Sequence, residues 1–332
     1  MTVIKAFLLS LLVTCSVHNI HNEVAAVAST TKPKYLSLHI DVNKTIIAID
    51  KSQNRGLDET VNEILAQFTR QRWDKVHEQS YQEYVSDLVA KAHPALARNS
   101  ERFKNIRHAL IQAFPKYLQL YPEWLATYEL EKKQLFSVLE KPSVAIFPSF
   151  FKLIDWLEEN YTNRYSIYLR TFGQDLPHVV PVIEKSTGLR FSGCGEIKDR
   201  VVSMGSEKKS IFSFFSNCDC KHYALRDNYE QWKNSGFSAA GGKPYPIDLE
   251  NPDVITIFFD DNADDVDSPI LCPLTSDAVM GDTKELMKKG RIVAVNSKEA
   301  ALDSSYFIRA VASVIAGADE DIKAAMMSLL TA

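Results

Sequence analysis

The chain has 332 residues, 45% of them hydrophobic and 24% charged, with a formal net charge of −4. This composition buries a substantial core and excludes a chain that is disordered over most of its length. The slight acidity, with a pI near 6.1, leaves no global attraction to nucleic acid or to an anionic membrane.

The amino-terminal stretch MTVIKAFLLSLLVTCSV sets Lys5 before a short apolar run, and Ala26 to Ala28 offer small residues for cleavage. The pattern predicts a secretory signal peptide over residues 1–28 and an exported, secreted or periplasmic protein. The run is shorter than the roughly 20 residues of a membrane span. An uncleaved anchor, or lipid attachment at Cys15 in LVTCS, is the alternative.

Residues 35–40, YLSLHI, read as a buried strand that delivers Asp41 into DVNKT. From Gly56 to Gly173 the chain contains no intervening glycine, and apolar residues recur at helical spacing: Leu57, Val61, Ile64, Leu65 and Phe68, then Phe103, Ile106, Leu110 and Phe114. Pro94, Pro115, Pro122 and Pro142 divide this stretch into several helices. Tyr117, Tyr121, Trp124 and Tyr128 form an aromatic stripe, which reads as helical core more readily than as a substrate pocket.

From about residue 148 onward, apolar strands YSIYLR (165–170), VITIFF (254–259) and RIVAV (291–295) alternate with helical PSFFKLIDWLEENY, ALRDNYEQWKNSG and SYFIRAVASVIAG. This alternation predicts an α/β fold with a parallel sheet covered on both faces. Ligands of such sheets bind beyond the carboxyl ends of the strands, where Asp41, Thr171 and the pair Asp260 and Asp261 fall. Taken singly, each has an ordinary role as a cap, turn former or solvated residue.

Cys194, Cys218, Cys220 and Cys272 lie beyond the signal segment and allow three full disulfide pairings. Cys218, Cys220 and His222 would share one face of a strand like metal ligands, but a single cluster favours structural thiols or disulfide partners over zinc. SGCGE (192–196) is too short of glycine for a nucleotide fingerprint and reads as a turn.

Taken in order, HIDVNKT, the strand-end Thr171, Lys243 in GGKPYPID and ITIFFDD resemble the four motifs of the haloacid dehalogenase-like superfamily of phosphatases and phosphotransferases. Lys243 is preferred to Lys221 and Lys233 because it lies in a loop nearer the fourth motif. The resemblance implies a Rossmann-like core over residues 29–56 and 145–332, with a helical cap inserted over 57–144. TIIAID would be the flap that joins core to cap.

The resemblance further implies that Asp41 attacks phosphorus to form an aspartyl phosphate. Thr171 and Lys243 would bind phosphate oxygens. Asp41, the main-chain carbonyl of Asn43, Asp260 and Asp261 would hold Mg²⁺, a hard cation that prefers oxygen ligands. The substrate would be a phosphorylated small molecule or phosphoprotein.

One residue departs from the pattern. Asn43 stands where phosphatase relatives carry the acid that protonates the leaving group, and an amide has no such proton. General acid–base catalysis contributes about 10²- to 10⁴-fold, so alkyl phosphates should turn over slowly. Good leaving groups, substitution by Asp50 or His39, or an inactive exported binding or interaction protein are the open outcomes.

Overall fold

The computed structural model describes residues 33–48, 56–140, 146–216, 218–251 and 253–316. The expected signal peptide, Cys15 and Asp50 lie outside them. No helix among the described residues is long and apolar enough to cross a membrane.

The run YLSLHID forms strand β1 (Tyr35–Asp41), buried along its whole length. Helices α1 (Leu57–Phe68), α2 (Tyr81–Ala92), α3 (Glu101–Gln112), α4 (Phe114–Leu118) and α5 (Pro122–Leu139) follow. A short antiparallel ribbon, β2 (Arg70–Gln71) and β3 (Gln79–Ser80), lies between the first two helices. Ser80 starts α2 through a capping box with Glu83. Pro115 and Pro122 occupy the first turns of α4 and α5, where a missing N–H costs nothing.

The aromatic stripe packs inward as core. Trp124 meets Trp73 edge-on at 4.8 Å between ring centroids, and Tyr128 meets Phe114 at 5.4 Å.

The chain then alternates. Helix α6 (Pro148–Tyr161) leads to β4 (Tyr165–Thr171), and α7 (Leu176–Thr187) to β5 (Phe191–Lys198), β6 (Val201–Met204) and β7 (Glu207–Ser210). Next come α8 (Ile211–Phe215), β8 (His222–Asp227), α9 (Tyr229–Asn234), β9 (Lys243–Pro246) and β10 (Val254–Asp260). The last elements are β11 (Leu271–Leu274), α10 (Thr283–Lys288), β12 (Ile292–Ala294), α11 (Ser297–Leu302) and α12 (Tyr306–Ile315).

Eight strands form one sheet in the order β12-β10-β1-β4-β8-β5-β6-β7. The pairings from β12 through β5 are parallel, and β6 and β7 extend the edge antiparallel. The fold is therefore α/β with a mostly parallel central sheet flanked by helices. β1 lies between β10 and β4, so the chain leaves it toward both sides. That makes its carboxyl end the switch point at which a crevice opens.

Two local readings are corrected. SGCGE is part of strand β5 and not a turn. A Cβ on Gly193 would meet Met204 Cε at 2.7 Å, and one on Gly195 would meet the Ser203 carbonyl at 2.6 Å, so glycine admits the neighbouring strand. ALRDNYEQWKNSG is helical only over Tyr229–Asn234, because Ala224 to Asp227 pair with β4 and β5. Parallel pairing on both sides outweighs the local propensity of that segment.

Candidate active site

Asp41, Thr171 and Asp260 end three neighbouring parallel strands, which brings residues far apart in the chain to one edge of the sheet. Lys243 arrives from outside that sheet, at the start of β9, which pairs with β11. Its ammonium lies 2.5 Å from Asp41 Oδ1 and 2.7 Å from Asp260 Oδ2, and the residue is 1% exposed.

Each remaining oxygen of the carboxylate group can be followed. Lys44, with φ 58°, turns the chain back after β1, and Ile46 and Ile47 both donate to the Val42 carbonyl. The turn places Thr45 Oγ1 where it donates to Asp41 Oδ2 (3.2 Å) and accepts from the Asp261 amide (3.1 Å). Asp260 Oδ1 accepts from the Asn262 amide, and Asp261 Oδ1 from the Asn262 side chain, both at 2.9 Å. Asp261 Oδ2 is buried and has no hydrogen-bond partner among the described residues.

Asp41, Asp260 and Asp261 each contribute an oxygen to a group whose members all lie within 4.8 Å of one another. The three carboxylates are buried beside the Lys243 ammonium, and burial shifts the protonation of Asp41 and Asp261. Burial pushes the Asp41 carboxyl up, Lys243 draws it back and Asp260 opposes that, leaving it at about 7. Asp261 is also held well above the ordinary carboxylate range, by burial and by Asp260 and Asp41, against the pull of Lys44. Burial alone would lower the Lys243 ammonium, but Asp260 and Asp41 overcome it and hold it above the ordinary lysine value.

The donor set is all oxygen, and one of its oxygens is buried and unsatisfied. These properties fit a small hard divalent cation.

Thr171 and Asn43 form a second group beside the first. Thr171 Oγ1 accepts from the Gly173 amide at 2.8 Å, and Asn43 Nδ2 donates to Asp175 Oδ2 at 3.1 Å. A Cβ on Gly173 would stand 2.8 Å from Asp175 Oδ2 and 3.2 Å from both Asn43 Nδ2 and Thr171 Oγ1. All three side chains therefore converge on the space that Gly173 leaves open. Asp175 sits at the head of α7 but makes no side-chain capping bond there. Asn43 Oδ1 is buried without a hydrogen-bond partner among the described residues.

Beneath the carboxylates lies a polar layer that strand patterning did not reveal. Arg170 is wholly buried and forks onto Asp227 through Nε (3.0 Å) and Nη2 (2.5 Å). Its Nη1 donates to His39 Nδ1 at 3.0 Å, and Nη2 also donates to the Pro244 carbonyl at 3.0 Å. Burial and the Arg170 charge keep His39 neutral, stacked on Tyr168 and Phe258, so it is no substitute acid. The available signal was the charge at the end of each run, Arg170 in YSIYLR and Asp227 in HYALRD.

The segment that carries the helices reaches the site through Lys44, whose Nζ lies 3.2 Å from Glu63 Oε2 on α1. Lys298 on α11 pairs with Glu131 on α5 at 2.9 Å.

The other candidates lie elsewhere. Lys221 pairs with Asp219, and all four described cysteines are free thiols. Cys218 and Cys220 precede β8 and do not share its face, and Cys220 Sγ donates to the Asn163 carbonyl at 2.7 Å. His222 Nδ1 accepts from the Ile167 amide, so the stretch CDCKH assembles no metal site.

Compared with protein-family models, with curated proteins and with solved structures, the chain matches none.

Proposed function

We propose that the protein is a divalent-metal-dependent phosphohydrolase or phosphotransferase of the haloacid dehalogenase-like type, with Asp41 as nucleophile and Mg²⁺ as the cation. The observation that carries this reading is the Lys243 ammonium shared between Asp41 and Asp260, with Asp261 as third carboxylate, at the ends of adjacent parallel strands. A carboxylate nucleophile, a cation site and a buried ammonium are what in-line transfer of a phosphoryl group needs.

Asp41, Asp260 and Asp261 would hold the metal, with the Asn43 main-chain carbonyl as a further ligand. When bound, the cation supplies positive charge to phosphoryl oxygens and favours the ionised form of Asp41. One Asp41 oxygen attacks phosphorus, the bond to the leaving oxygen breaks, and an aspartyl phosphate forms that water hydrolyses. Lys243 and Thr171 bind the phosphoryl oxygens, and the lysine charge offsets what develops there. The segment over 57–144 would serve as the cap, and the Lys44 to Glu63 pair ties its first helix to the turn after Asp41. The amino-terminal sequence supports export.

Asn43 supplies no proton to the leaving group, so the favoured substrates are aryl and acyl phosphates, whose leaving groups need little help. The test is phosphate release from an aryl and an alkyl phosphate, with and without Mg²⁺, by wild type and Asp41→Asn. Release that needs both Mg²⁺ and Asp41, and is faster for the aryl ester, is the expected result. If wild type releases no phosphate that Asp41→Asn abolishes, the enzyme reading falls and a non-catalytic binding protein takes its place.

A further inference from the structure

The structure assigns Arg170 a role beyond the ion pair it forms: we propose that it is a positioning residue for Lys243. By gripping the Pro244 carbonyl, it sets the lysine-bearing end of β9 against β1 and β10, so that Nζ falls between Asp41 and Asp260.

Lys243 needs such a device because of where it sits in the fold. Asp41 and Asp260 are fixed by the ladder that joins β1 to β10. β9 has no place in that sheet, and its ladder runs to β11. Its other backbone bonds, from Lys243 to Ile270 and from Ile247 to Leu274, lead to the same neighbour. Among the described residues, the hydrogen bond that ties the β9 backbone to the eight-stranded sheet is Arg170 Nη2 to Pro244 O, at 3.0 Å. Pro244 follows Lys243 directly, so a shift of that carbonyl moves the lysine.

The chemistry of the arginine suits the task. A guanidinium is planar and presents its donors in a rigid fork. Two of its edges are taken by the Asp227 carboxylate on β8 and by His39 on β1. With these fixed, the direction of the bond to Pro244 is fixed too. Phe215 and Phe258 flank the group, with its central carbon 5.7 and 5.4 Å from their ring centres. Stability alone is a poor account of the pair, because exchanging a buried ion pair for apolar residues is often neutral or favourable.

The placement of Lys243 holds whether or not the site turns over substrate, while its effect on rate rests on the phosphohydrolase reading. The test uses the full chain carrying Arg170→Met with Asp227→Leu, which removes both charges together, and separately Arg170→Lys, which keeps the charge but loses the fork. Folding is checked by thermal unfolding and near-ultraviolet circular dichroism.

The direct readout is native-state labelling of Lys243 by an amine-reactive succinimidyl ester, quantified by peptide mass spectrometry against exposed Lys284. Wild-type Lys243 should be protected by burial and pairing, and labelling should rise about tenfold or more in the folded double variant and partly in Arg170→Lys, as local opening predicts. Should the double variant not fold, Arg170→Lys carries the comparison. A folded variant with Lys243 as protected as in wild type overturns the proposal.

Phosphate release then separates the two readings. If Arg170 acts through Lys243, the losses from Arg170→Lys and Lys243→Ala are non-additive. Independent, additive losses also overturn the role. Absence of Asp41-dependent release in wild type removes the phosphohydrolase reading and leaves the labelling result to decide for Arg170.

Discussion

Asn43 and Asp175, 132 positions apart in the chain, share one hydrogen bond: the amide Nδ2 donates to Asp175 Oδ2 at 3.1 Å. An ionised carboxylate only accepts, so this contact fixes which end of the amide faces Asp175 and leaves Oδ1 pointing away. The amide at position 43 is thus matched to a carboxylate at position 175. Two carboxylates at that distance would repel.

Placing an acid at position 43 should therefore fail on its own. Asn43→Asp is expected to destabilise the protein by about 1–2 kcal/mol in urea denaturation, through like-charge repulsion and loss of the bond. Alkyl phosphate hydrolysis should rise only in Asn43→Asp with Asp175→Asn, which exchanges the partners and keeps one amide and one carboxylate in contact. A single variant that is both as stable as wild type and faster would show that Asp175 does not constrain position 43.

Lys243→Met should be among the most costly single substitutions. It leaves Asp41 and Asp260 buried without the ammonium that now lies 2.5 and 2.7 Å from them. Removing one partner of a buried pair typically costs about 3–5 kcal/mol, because the remaining charge has no compensation. The loss should shrink when Asp41→Asn is also present, since one of the two carboxylates is then gone. Chemical denaturation of the two singles and the double variant measures this coupling.

Gly173→Ala tests the convergence of the second group. The added carbon would stand 2.8 Å from Asp175 Oδ2, a separation that forces the carboxylate to move. Overpacking of this kind costs about 1–3 kcal/mol. The Asn43 to Asp175 bond should break, and in the Asp175→Ala background the same substitution should cost less. Equal costs in both backgrounds would place the clash elsewhere.

His222 predicts a pH response away from the carboxylates. It is 8% exposed, its Nδ1 accepts from the Ile167 amide at 3.0 Å, and burial lowers it from 6.5 to about 4. The folded state binds fewer protons than the unfolded one between these values, so the contribution is complete above the unfolded value. It is lost as pH falls from about 6.5 toward about 4, and amounts to at most about 3 kcal/mol. His222→Gln should remove this slope, and urea midpoints on both sides of the window will show whether it does.

Much of the fold was legible before any coordinates. The four runs read as strands became β1, β4, β10 and β12, because continuous apolar residues suit strands buried on both faces. The helical series from Leu57 to Phe114 followed from its spacing and its prolines. The strand β8 was misread because ALRD has the composition of a helix, and β5 because its glycines suggested a turn. Both errors lie where pairing with a neighbour, which a single segment does not encode, decides the outcome.

The sequence by itself determined which residues end strands, and so named Asp41, Thr171, Asp260 and Asp261 as one set, with Lys243 chosen by its order in the chain. Tertiary structure alone decided that Lys243 falls between Asp41 and Asp260, separated from them by 202 and 17 positions. It also decided that Asn43 meets Asp175 and that Arg170 spans β1, β8 and β9. Periodicity is a property of neighbours along the chain, whereas these contacts depend on the order and register in which distant strands pair, and a one-residue slip would turn every one of them to the other face.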